Sequence, residues 1–137
     1  GAAQSPGPAR GADKQEQRKR LMEIEQSSQA GVTLLSLHGR LDELATGEAE
    51  AALLDVAASD ADRLVLDLAD VEYVSSSGMR VLVKLLRTVR QKRGARLGLC
   101  ALSPFVAEVF DVSNLSRLFE IYPHREAALR ALGNGGA

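Results

Sequence analysis

Residues 63–104 read RLVLDLADVEYVSSSGMRVLVKLLRTVRQKRGARLGLCALSP, and this stretch decides the fold. Arg63 to Asp70 is a short apolar run without strict alternation, ending in acidic residues expected to turn the chain, the pattern of a strand covered on both faces. From Ser77 to about Gln91 the period changes. Met79, Leu82, Val83, Leu86 and Val89 recur at helical spacing, and Val81 and Leu85 widen the apolar arc, so this helix is mostly buried. Its exposed strip is Arg80, Lys84 and Arg87, neighbours on one face. Ala95 to Leu102 is apolar again and supplies the next strand. Strand, helix and strand in this order make the crossover unit of a parallel sheet.

The flanking residues extend that unit in both directions. Leu21 to Glu25 alternates weakly, and Gly31 opens the apolar run VTLLSLHG that stops at Gly39, so two strands are expected around a polar turn QSSQAG. Thr46 is expected to cap a helix over roughly Gly47 to Ala58, with Ala49, Ala52, Leu53 and Val56 on one face. Downstream, Ser103-Pro104 starts a helix with proline at its first position, a short strand falls around Leu118 to Tyr122, and a last helix runs from about His124 to Leu132. The order β-β-α-β-α-β-α-β-α predicts an α/β fold with a mostly parallel central sheet of four to five strands and about four helices.

Composition narrows the function classes. At 137 residues, 45% hydrophobic and 26% charged, the chain has the length and make-up of one globular domain, expected over 21–132. Residues 1–20 hold two prolines, three glycines and hardly any large apolar side chain, the signature of a flexible tail, and 133–137 reads as a frayed end. Aromatics make up 4% and tryptophan is absent, which leaves little to build a base-stacking surface. The net charge of −1 divides into a tail at +3 (Arg10, Lys14, Arg18, Lys19 and Arg20 against Asp13 and Glu16) and a remainder at −4. An acidic body argues against duplex DNA as partner. Cys100 is the single cysteine, so no intramolecular disulfide forms, which suits a reducing cytoplasm. No run approaches the ~20 apolar residues of a membrane span.

The unusual local feature is Ser75-Ser76-Ser77-Gly78, where a strand and loop meet the start of the most regular helix. Two readings are open. A serine oxygen there caps the free N–H groups of the first turn, which needs no further function. The same N–H groups and the helix dipole also favour negative charge, as at an anion or phosphorylation site. A serine hydrolase is excluded: with Ser76 as nucleophile the first glycine of the required elbow is Val74, and His38 and His124 sit at an expected strand end and helix start. One cysteine and two histidines without short spacing give no zinc site, and no glycine-rich loop precedes Lys-Ser or Lys-Thr, so neither metal nor cofactor is expected. The Arg80, Lys84, Arg87 strip reads as a solvated helix face, with contact to phosphates or an acidic protein as the other reading.

The run from Val65 to Tyr122, with its strand, serine turn, following helix and the later CALSP and VFDVSNL, resembles the STAS domain of bacterial anti-sigma factor antagonists, and the resemblance covers most of Val32 to Leu132. That resemblance implies the STAS fold. It also implies that the phosphoacceptor is the serine two before the glycine, Ser76, with Ser75 where the family often has aspartate. Gly39-Arg40-Leu41-Asp42 resembles the family's Gly-x-Leu-Asp segment and places Asp42 near that serine, so the implied partner-binding residues are Asp42, Ser75, Ser76, Ser77, Gly78 and Met79. On the same resemblance the protein is a cytoplasmic binding module without catalysis, a monomer or weak homodimer that binds neither nucleic acid nor membrane. Its implied partners are an anti-sigma factor with serine kinase activity, whose binding is switched off by phosphorylation, and a serine phosphatase. The other roles open to such a domain are a stressosome scaffold, a transporter-associated accessory subunit, and a small anion- or nucleotide-binding module.

Overall fold

A computed structural model describes residues 22–133. The tail expected over 1–20 and all but the first residue of the expected frayed end therefore lie outside the described residues. Strands β1 (Met22–Gln29) and β2 (Val32–Leu41) form an antiparallel hairpin. The chain then alternates: α1 (Thr46–Ala58), β3 (Arg63–Val74), α2 (Ser76–Arg90), β4 (Arg96–Cys100), α3 (Pro104–Val112), β5 (Glu120–Tyr122) and α4 (Arg125–Leu132), with a short 3₁₀ turn at Leu115–Arg117. The five strands lie in the order β1-β2-β3-β4-β5, and every pair after the hairpin is parallel. This is the expected α/β architecture.

Consecutive strand residues point to opposite faces, and the core divides accordingly. Leu35, Leu37, Leu66 and Leu68 join Leu53 of α1, Leu82 and Leu85 of α2 and Phe110 of α3 in the larger cluster. Leu34, Val65 and Cys100 join Ala128 and Leu132 of α4 in the smaller one.

Five local expectations change. The hairpin turn is tighter than QSSQAG: it is Ala30-Gly31, both at positive φ (55° and 81°), as a two-residue hairpin loop requires, and the polar QSSQ segment belongs to an exposed edge strand. β3 does not turn at Asp70 but continues to Val74, because Leu68, Val71 and Val74 stay buried while Asp70 and Glu72 face solvent. β2 accompanies it past Gly39 to Leu41, with register shifts between Ser36 and His38 and between Gly39 and Arg40. β4 pairs only with Arg63 to Asp67, so the last part of β3 has β2 as its sheet neighbour. Thr46 is the first helical residue and not the cap; its hydroxyl donates to the Glu43 carbonyl, and the Asp42 carboxylate accepts from the Leu44 N–H to hold the loop that enters α1. Within α1 the fully covered positions are Ala49, Leu53 and Ala57, and Ala52 is exposed. The expected starts of α3 and α4 are present: Ser103 accepts from Val106 N–H with Pro104 following, and His124 Nδ1 accepts from Ala127 N–H.

Candidate functional site

The end of β3 delivers the serine turn against the end of β2. Ser75 N–H donates to the Leu41 carbonyl at 2.9 Å, its hydroxyl reaches the same oxygen at 3.3 Å, and its Oγ accepts from Gly78 N–H at 3.1 Å. Ser75 is therefore the helix cap, only 5% exposed. Gly78 is required by a close approach: a Cβ there would lie 2.4 Å from the Leu41 carbonyl oxygen. Ser76, the first helical residue, is exposed, and its hydroxyl takes no partner among the described residues. The capping role thus falls on Ser75 alone of the serines in this turn. One serine is consumed by the cap and the next is offered to solvent at the helix N-terminus.

Of the six expected partner-binding positions, Ser75 and Gly78 are buried and shape the turn, while Ser76 is exposed and Asp42, Ser77 and Met79 are partly exposed. Asp42 directly follows Leu41, the residue that clasps the turn, and receives Arg40 Nε at 3.4 Å. Met79 Sδ lies 3.6 Å from the Ser113 hydroxyl, which links α2 to the end of α3.

Sequence reasoning missed two apolar side chains that flank these residues. Leu44 and Val112 are each 79% exposed; Leu44 lies two residues past Asp42, and Val112 immediately precedes Ser113. Leu44 is the lone large apolar residue in the run Arg40–Thr46 outside the strand, which is a readable signal, whereas Val112 sits in an apolar helix pattern that hides it. Phe105, 49% exposed, stacks on Tyr73 at 5.8 Å between centroids, and Arg40 Cζ lies 4.5 Å from the Tyr73 ring centre.

An open groove of about 710 Å³ runs from Ser76 and Met79 along α2 to Leu115. The strip Arg80, Lys84 and Arg87 lines it, and Lys84 Nζ is held by Glu50 Oε2 at 2.7 Å.

Behind the turn, on the face that α4 covers in part, polar groups link the strands. The two ring nitrogens of His38 lie 2.7 Å from Glu25 Oε1 and 2.7 Å from Asp70 Oδ2. The hydrogen bond with Glu25 above all, aided by Asp70 and opposed by partial burial, raises the His38 pKa above its ordinary 6.5. Arg125 Nε donates to Asp67 Oδ2 at 2.9 Å and its Nη2 donates to Ser36 Oγ at 2.9 Å, while Asp67 Oδ1 accepts from Ala69 N–H. Burial first, then the charge of Asp67, pushes the Cys100 thiol up to about 12, so it is no nucleophile.

A family model described as the STAS domain matches residues 23–128. The chain belongs to the STAS domain family. This STAS domain is 36% identical over 101 residues to BtrV of Bordetella bronchiseptica, by its name a candidate anti-sigma factor antagonist, covering 74% of this chain and 86% of that protein. It is 28% identical over 113 residues to the anti-sigma F factor antagonist of Paenibacillus polymyxa, covering 81% of this chain and 95% of the relative. The crystal structure of an anti-sigma factor antagonist from Mycobacterium paratuberculosis matches with a TM-score of 0.76 at 25% identity, over 81% of this chain and 93% of that one. The expected STAS fold is the observed one. Among the described residues, no helix of this STAS domain is long and apolar enough to cross a membrane.

Proposed function

We propose that this STAS domain is an anti-sigma factor antagonist, a binding module without catalysis of its own, which binds an anti-sigma factor that is also a serine kinase and is switched off by phosphorylation at Ser76. The observation that carries the reading is the division of labour in the turn: Ser75 is buried in the cap, and Ser76 is presented on the surface. The names of the relatives support the partner class.

In the transfer, Ser76 Oγ attacks the γ-phosphorus of ATP bound to the kinase. The Oγ–P bond forms, the bond from that phosphorus to the β–γ bridging oxygen breaks, the hydroxyl proton passes to a base of the kinase, and ADP leaves. The phosphate carries about −1.5 to −2 charges and sits at a helix N-terminus, where negative charge is favoured by roughly 0.3–1 kcal/mol, so the fold is undisturbed. The effect falls on the interface. Ser76, Ser77, Met79 and Asp42, with the exposed Leu44 and Val112, form the docking surface, and a phosphate set among them is either desolvated or placed against like charge. A loss of about 3 kcal/mol is a hundredfold or more in affinity. A serine phosphatase restores the binding form, and the cycle runs in the cytoplasm on a monomer or weak homodimer.

The test is to incubate the protein with the kinase that co-purifies with it from its native cell, add ATP and map the modification. Labelling confined to Ser76 and lost in Ser76→Ala is expected; labelling that survives Ser76→Ala overturns the site. A Ser76→Asp protein, folded by circular dichroism, is expected to bind that kinase at least tenfold more weakly.

A further inference from the structure

We infer that Arg80 is the internal receptor of the Ser76 phosphate, so that phosphorylation closes an ion pair along α2 between residues 76 and 80. This rests on Ser76 being the acceptor. Residues four apart on a helix are neighbours, about 5–6 Å between Cβ atoms, and side chains lean toward the helix N-terminus, so a residue at position 80 reaches back over position 76. An anion N-terminal to a cation at this spacing is also the favoured order. Ser76 and Arg80 line the same groove, and both are exposed.

Arg80 is free to serve. No ion pair joins it to any described residue, and the residues three and four away on the helix are Ser76, Ser77, Val83 and Lys84, none of them acidic. The next cation along, Lys84, lies a further turn from Ser76 and is already engaged by Glu50 at 2.7 Å. A guanidinium also matches a phosphate with two parallel N–H donors, which an ammonium cannot do. The consequence for the switch is twofold. Phosphorylation adds an anion to the docking surface, and it withdraws from the partner a cation that the unmodified protein leaves open.

The experiment uses the full chain with phosphoserine installed at position 76 during synthesis, so that it needs no kinase, and follows the second ionisation of the phosphate by ³¹P NMR. The helix N-terminus acts equally on every variant and drops out of the difference. The phosphate in the otherwise unmodified chain is expected to titrate about 0.3 pH unit below that in Arg80→Gln, a gap that shrinks in 1 M salt. Lys84→Gln is expected to titrate with the parent, and Arg80→Lys to fall between parent and Arg80→Gln. Equal midpoints for the parent and Arg80→Gln, or a Lys84→Gln shift as large as that of Arg80→Gln, overturn the ion pair. Failure of Ser76 as acceptor shows separately, as kinase labelling at another residue.

Discussion

On one face of the sheet, α1, α2 and α3 bury Leu53, Leu82, Leu85 and Phe110 against six leucines of β2 and β3. On the other, the eight-residue helix α4 buries Ala128 and Leu132, and its first residue, Arg125, is tied by hydrogen bonds to Asp67 and Ser36. The two faces hold their helices in different ways. Apolar burial on the large face is non-directional and supplies most of the stability, so the helix that bears Ser76 is anchored along its length by Val81, Leu82, Leu85, Leu86 and Val89. On the small face, position is fixed by direction, through a guanidinium that fits one carboxylate and one hydroxyl. At the N-terminus of α2 the polar fastening is confined to the buried Ser75, and the exposed Ser76 beside it takes no part in holding the helix down.

Truncation of the large face puts this contrast to its most severe test. Leu82→Ala is expected to lower unfolding free energy by about 2–5 kcal/mol in urea titration, since it opens a cavity among fully buried neighbours. Arg125→Ala is expected to cost about 1–3 kcal/mol, because it leaves the Asp67 carboxylate, 9% exposed, without its cation. A neutral result would mean that α4 is held by its apolar residues alone. Within the serine turn, Ser75→Ala is expected to cost about 1 kcal/mol through loss of the cap, whereas Ser76→Ala should stay within about 0.5 kcal/mol, and equal losses would erase the distinction between the two serines. The smallest effect is a pH dependence on the α4 face. Folding favours the cationic form of His38, so its contribution is complete below the ordinary histidine value of 6.5 and disappears as pH rises through the raised folded value. The thermal midpoint should fall across that window by more in the parent than in His38→Gln.

Legibility in the sequence divides along the same line. The order of elements was legible because each strand and helix writes its own period over ten or so neighbouring residues, and the Ser75 to Gly78 turn stood out at a junction of two periods. Pairings between distant residues left no such trace. Asp67 meets Arg125 across 58 positions, and Ser36 meets it across 89. β3 outran its expected end for the same reason: Asp70 and Glu72 look like a turn locally, but pairing with β2 carries the strand on to Val74. Three identical serines cannot be told apart by type, and only the arrival of Leu41, 34 positions earlier, decides which is buried and which is offered.

Since the sheet runs β1-β2-β3-β4-β5, each strand after the first joins the one synthesised just before it, and no strand waits beyond the next one made for a partner. A chain leaving the ribosome, which generally folds its earlier segments first, can lay down this sheet from one edge to the other. The serine turn has both of its walls once α2 has emerged, with β4, β5 and α4 still to be made.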